Sequence, residues 1–141
     1  MAGSTEFAYA GVIKKDDKTE RTMSTDGEKP KRDLDQGIVI IDGATGSELD
    51  RRGVDCVLPY WSAGAMIHSP DVVREVHKHY LRCGAAAITT NTFNTTYRLL
   101  ERAGVGKDAE KLCRKACQVA IEARDEINPD AVVFGCVSPV G

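Results

Sequence analysis

Apolar residues gather into short runs and periodic stripes only after Gly37. Ile38-Val39-Ile40-Ile41 is a continuous β-branched run, the pattern of a strand buried on both faces, and Asp42-Gly43 stops it. Thr45 and Glu48 have the spacing of a capping box, Leu49 would pin the short helix to that strand, and Gly53 can close the helix. Ser69-Pro70-Asp71 starts a second helix with a cap, a proline at the first helical position and an acid near the positive end of the dipole. Along it Val72, Val73, Val76, Tyr80 and Leu81 recur at three- and four-residue steps as one apolar stripe, and Gly84 is the stop. Ala85 to Thr90 then reads as a second buried strand ending in Asn91-Thr92-Phe93.

The pattern predicts a further helix over roughly Thr95 to Ala103 and another over Asp108 to Ile127, with Leu112, Cys113, Ala116, Ala120 and Ile121 on one face. Asn128-Pro129-Asp130 breaks it, and Ala131 to Val137 is the third strand. Each strand is followed by helical crossover, which calls for parallel pairing with right-handed connections. Strands starting near residues 38, 86 and 131 make three units of an α/β fold. A closed (β/α)8 barrel takes about 250 residues. At 141 residues the chain would supply the first three βα units of such a barrel and reads as truncated.

Composition changes this picture at the N-terminus. The first 37 residues carry seven basic and eight acidic side chains but few large apolar ones, so residues 1–36 read as a disordered extension and 37–141 as the folded part. With 19 Lys plus Arg against 21 Asp plus Glu, the chain has no broad field for phosphate, which disfavours nucleic acid and anionic membranes as partners. No run of apolar residues is long enough to span a bilayer, and the first twenty residues lack a signal-peptide core. Five cysteines, an odd number inside apolar segments, do not read as a disulfide framework, and a reducing, cytoplasmic setting is expected.

Ligands of parallel α/β folds sit at the carboxyl ends of strands. Asp42 stands at the first such end, where its carboxylate can accept from an ammonium group while Gly43 allows close backbone approach and nearby helix amides can receive an anion. An amino acid carries both charges. The same carboxylate is equally suited to capping its own turn. Phosphoryl transfer of the haloacid-dehalogenase type needs a second acid two positions on, where Ala44 stands, and the G-A-T-G turn is too short for a Walker loop. Cys113 and Cys117 lie one turn apart on a helix, without the His, Asp or Glu that would complete a metal site, and read as small packed thiols. His77 and His79 point to different helix faces, His68 reads as a loop residue, and Tyr60 and Trp61 read as packing anchors.

Taken together, I-I-D-G-A-T-G-S-E-L-D-R-R-G at 40–53, W-S-A at 61–63, S-P-D-V-V-R-E-V-H-K-H-Y-L-R-C-G-A at 69–85 and I-T-T-N-T-F at 88–93 resemble the homocysteine S-methyltransferase family. The resemblance covers about residues 37–141. It implies a (β/α)8 barrel that moves a methyl group onto the thiol of homocysteine to give methionine, with a zinc ion holding the sulfur as thiolate. It also implies that Asp42 and Gly43 hold the amino-acid end of homocysteine, that Asn91, Thr92 and Phe93 complete that pocket, and that Val137 to Gly141 follow the third strand. The family's zinc-binding cysteines fall later than residue 141, and none of the five cysteines here takes their place, so no metal ligand is assigned and the chain alone is expected to be inactive. The resemblance leaves the methyl donor open among S-methylmethionine, betaine, S-adenosylmethionine and a folate-derived methyl carried by cobalamin, and the W-S-A stretch is more similar to members using S-methylmethionine than to cobalamin-dependent ones. A reading of another class is a non-catalytic interaction module, whose unpaired strand edges would meet a partner or a second copy in a homo-oligomer.

Overall fold

The structure, a computed structural model, describes residues 37–138. The expected extension over 1–36 and the final Pro139-Val140-Gly141 lie outside the described residues. In chain order the elements are α1 (Thr45–Arg51), a 3-10 turn (Trp61–Gly64), α2 (Ala65–His68), α3 (Pro70–Arg82), β1 (Ala87–Thr89), α4 (Tyr97–Arg102), a second 3-10 turn (Gly106–Asp108), α5 (Ala109–Ile127) and β2 (Val132–Phe134).

The two strands pair in parallel, with Ala87, Ile88 and Thr89 opposite Val132, Val133 and Phe134. On the other side of β1, Ile41 makes a single parallel bridge to Ala87. Ala86 N donates to Ile40 O at 2.8 Å and Asp42 N to Ala87 O at 3.0 Å. The three apolar runs therefore lie side by side in chain order, and parallel pairing is as expected from the helical crossovers.

The first run departs from expectation. Instead of a strand buried on both faces, Ile38 is 96% exposed and Ile40 63%. Only Ile41 contributes a bridge. β-branched residues favour extended backbone, but burial needs neighbours, and among the described residues no strand lies beyond this one.

The core is helical on one side of the sheet. Leu49, Ala63, Met66, Val73, Val76, Leu100, Leu112 and Ala116 form one cluster, and Leu81, Ile88, Ala120, Ile121, Ala131 and Val133 a second. Register partners Ile88 and Val133 share the face that meets α5, so by alternation Thr89 projects to the opposite face. Leu49 packs among helices rather than pinning α1 to a strand. The stripe of α3 is buried at Val73, Val76 and Leu81 and half-buried at Val72 and Tyr80; on α5 Leu112, Ala116, Ala120 and Ile121 are buried, while Cys113 and Cys117 are half-buried. Ion pairs stitch the two helices along their rims, Lys78 Nζ to Glu126 at 2.6 Å and Arg74 to Glu122 at 3.9 Å.

Glycine stops fall at the expected helix ends, but side-chain capping is missing at two expected beginnings: Ser69 stands at the N-cap of α3 ahead of Pro70 yet makes no side-chain cap bond. Gly53 and Gly84 both take positive φ where the preceding helices stop, at +79° and +94°. The capping box at Thr45 does not form: Ala44 is the N-cap without a side-chain bond, and Glu48 is drawn away to Arg51 and Arg52 at 2.7–2.8 Å. Two guanidinium groups outcompete one backbone amide for that carboxylate. His68 ends α2 rather than lying in a loop. His77 is wholly buried and His79 exposed, on different faces as expected.

Candidate functional site

A cleft of about 360 Å³ opens where β1 and β2 end. One wall is the turn into α1, Gly43 to Ser47; the facing wall is Thr89, Thr90, Asn91, Phe93, Asn94 and Cys136; Trp61 and Ser62 close a third side. The volume suits a small metabolite.

Gly43, Asn91 and Phe93, three of the sequence-predicted site residues, line this cleft. Asn91 is buried, and its side-chain amide donates to Ser62 O at 2.8 Å, so it braces the turn that carries Trp61. Phe93 remains 45% exposed at the rim. Gly43 makes a different close approach from the expected one. A Cβ there would sit 3.0 Å from Tyr80 Oη, so α3 stands close against this glycine.

Asp42 and Thr92 lie behind the lining. The buried Asp42 carboxylate accepts from Thr89 N at 2.8 Å and from the Thr89 hydroxyl, 3.0 Å to Oδ2 and 3.3 Å to Oδ1. Burial raises the Asp42 pKa, against the lowering effect of the Thr89 bonds. Thr92 Oγ1 donates to Cys136 O at 2.6 Å and lies 2.7 Å from Thr90 Oγ1, while Cys136 N lies 3.2 Å from both hydroxyl oxygens. Thr92 thus ties the exit of β1 to the exit of β2 and serves the pocket indirectly.

Sequence reasoning places Cys136 at the carboxyl end of the third strand without giving it a role, and it misses Thr89. Residues 89 and 91 are two apart at a strand end, and extending the strand's alternation from Asn91 back to Thr89 would have found the former. The Cys136 thiol lines the cleft, with its pKa raised by burial and by the Asp42 charge, so it stays a thiol at neutral pH.

Trp61 reads in sequence as a packing anchor, yet it is 48% exposed at the cleft. Its backbone takes φ +42°, a left-handed conformation that a bulky residue adopts only under constraint. The indole Nε1 lies 3.0 Å from where a Cβ on Gly46 would stand, so glycine at 46 makes room for it. Because Trp61 is the sole tryptophan, ligand entry is expected to change intrinsic fluorescence. Gly46→Ala, which crowds the indole at that 3.0 Å contact, should likewise shift the emission of the ligand-free chain, and unchanged emission would show that the indole does not rest against Gly46.

Among the described residues, no three His, Cys, Asp or Glu side chains converge into a metal site, and no helix is long and apolar enough to cross a membrane. The five cysteines are unpaired.

A sequence profile described as homocysteine S-methyltransferase matches residues 39–141. Homocysteine S-methyltransferase 3 of Zea mays is 38% identical over 90 residues, covering 63% of this chain and 27% of that protein. Homocysteine S-methyltransferase of Escherichia coli is 34% identical over 113 residues, 75% of this chain and 36% of that protein. Among solved structures, the metallated form of the Escherichia coli homocysteine methyltransferase MmuM superposes with a TM-score of 0.71 at 31% identity, over 79% of this chain and 41% of that one. The chain therefore spans well under half the length of these relatives. The profile match, ordered motifs and superposition agree: the chain belongs to the homocysteine S-methyltransferase family.

Proposed function

We propose that this chain is the N-terminal part of a (β/α)8-barrel enzyme that transfers a methyl group to the thiol of homocysteine, giving methionine, and that its cleft receives the amino-acid end of that substrate. The observation that carries this reading is the Asp42 carboxylate, buried and held by Thr89 next to a metabolite-sized cleft at the strand ends. A carboxylate has about four lone-pair sites, and Thr89 supplies two donors, so acceptor capacity remains for a substrate ammonium group. Asn91 and Phe93 shape the opposite wall, and Thr92 holds that wall in place. S-Methylmethionine is the donor favoured by the W-S-A stretch at 61–63. Five unpaired thiols fit a reducing compartment such as the cytoplasm.

The family resemblance implies zinc, which would keep the homocysteine thiol deprotonated. The described residues do not fit that ion, since no ligand group forms, and no step is assigned through it. What this chain contributes is binding and alignment of the substrate, which in an attack on a cationic methyl donor supplies a large share of the rate.

Calorimetric titration of the 141-residue chain with homocysteine tests the reading. Binding is expected, and Asp42→Ala should weaken it about tenfold to a hundredfold, the range for a hydrogen bond to a charged group. Equal affinity in the variant would remove Asp42 from the site. No methyl transfer from S-methylmethionine is expected from this chain alone.

A second reading, an interaction module, is favoured by the exposure of Ile38, Ile40 and Val137 beside strand ends. Light scattering separates the two, because a defined oligomer that binds no homocysteine supports only the second.

A further inference from the structure

Asp42 can grip an ammonium group only if its carboxyl plane is fixed, and its own turn offers no more than the Asp42 main-chain N–H, itself engaged by Ala87 O at 3.0 Å: the aspartate is followed by Gly43, and Ala44 caps α1 without a side chain to spare. The fixing comes from 47 residues away. Thr89, last residue of β1, reaches Asp42 Oδ2 with its main-chain N–H at 2.8 Å and its hydroxyl at 3.0 Å. From Thr89, Oδ1 receives only the longer 3.3 Å arm of the same hydroxyl. The two carboxylate oxygens are therefore unequal. Oδ2 is satisfied by two donors, and Oδ1 keeps the spare acceptor capacity.

Thr89 is itself well placed for this work. β1 is paired on both sides, to β2 through its whole length and to Ile41 by a bridge, so its last residue is held in register. Strand alternation sends Ile88 into the core and Thr89 to the face of the cleft, which Thr89 lines. A donor at this point serves the carboxylate and the cleft wall together.

We propose that Thr89 is a positioning residue for substrate recognition, saturating Asp42 Oδ2 so that Oδ1 is the acceptor presented to the ammonium group of an α-amino acid. The inference rests on the proposed role of Asp42. It adds a specificity consequence: the site selects ligands with a free amino group, and an N-acylated analogue, which has no ammonium, is rejected.

The test separates the clamp from the substrate assignment. In the intact 141-residue chain, the Asp42 carboxyl carbon is followed by NMR against pH, alongside calorimetry with homocysteine and with N-acetylhomocysteine. Thr89→Val keeps the side-chain shape and the main-chain N–H but deletes the hydroxyl. Because that hydroxyl favours the charged carboxylate, its loss should move the Asp42 midpoint upward and weaken homocysteine about tenfold, and Thr89→Ser should restore both. N-Acetylhomocysteine should bind weakly to every form. An unmoved Asp42 titration in Thr89→Val, or a shift that Ser fails to reverse, overturns the clamp whatever homocysteine does. If the wild-type chain ignores homocysteine while the Asp42 titration responds to Thr89, the substrate assignment falls and the presentation of Oδ1 to an amino acid falls with it. Should Thr89→Val unfold the chain, Thr89→Ser and Thr89→Cys still decide: Ser keeps wild-type behaviour and Cys, a weaker donor, shifts the midpoint upward.

Discussion

Acidification from pH 6.5 to about pH 4 is expected to remove about 3 kcal/mol of folding stability through His77 alone. The ring is fully buried on α3, one turn from Val73 on one side and Leu81 on the other, and neither nitrogen has a hydrogen-bond partner among the described residues. Burial pushes its pKa from 6.5 down to about 4. Above pH 6.5 both folded and unfolded chains carry neutral imidazole and there is no penalty. Between 6.5 and about 4 the unfolded chain binds a proton that the folded chain refuses, so stability falls with pH. Below about 4 both are protonated and the loss levels off.

Other groups act differently in the same experiment. Glu48, paired with Arg51 and Arg52, titrates near 2 in the fold, so its effect belongs to a lower window, from 4.5 downward. Asp42, with a raised pKa, opposes His77, because protonating it favours the fold. Urea unfolding of the wild type and His77→Leu across this range isolates the histidine. The difference in stability between them should shift by about 3 kcal/mol, and a constant difference would show that His77 finds a partner in solution.

Leu49→Ala is expected to cost about 2–5 kcal/mol, while Ile38→Ala changes stability by less than about 0.5 kcal/mol. Both residues are large and apolar, and they lie only eleven positions apart. Leu49 is fully buried against helices α2 and α3, whereas Ile38 is 96% exposed. The loss at Leu49 should also reach the cleft, because α1 presents Thr45, Gly46 and Ser47 to it. Urea midpoints measured at constant slope give the two values, and a large cost at Ile38 would place the first run inside a packed sheet.

That contrast shows what the sequence made legible. The stripe on α3 and the stop at Gly84 follow from local spacing, which is complete within the segment that carries it. Parallel pairing followed from the order of strands and helices. Burial of Ile38 to Ile41 could not be settled this way, since a β-branched run has the same appearance whether or not a neighbouring strand covers it. Glu48 failed as a capping residue for a related reason: spacing records which amide is in reach and not which rival cation is nearer. At the site, Asp42 stood out because a carboxylate after a buried run is conspicuous. Its partner did not, as a threonine within a β-branched strand is ordinary until three-dimensional pairing sets it opposite an acid.

The paired hydroxyls of Thr90 and Thr92, locked onto the main chain of Cys136, have a mechanical corollary. Two successive strand exits are buckled together, so neither lip can swing aside without surrendering several short bonds at once. An incoming metabolite meets a doorway of fixed width on that side. Whatever yielding accompanies its arrival falls to the opposite jamb, where an indole stands half in water.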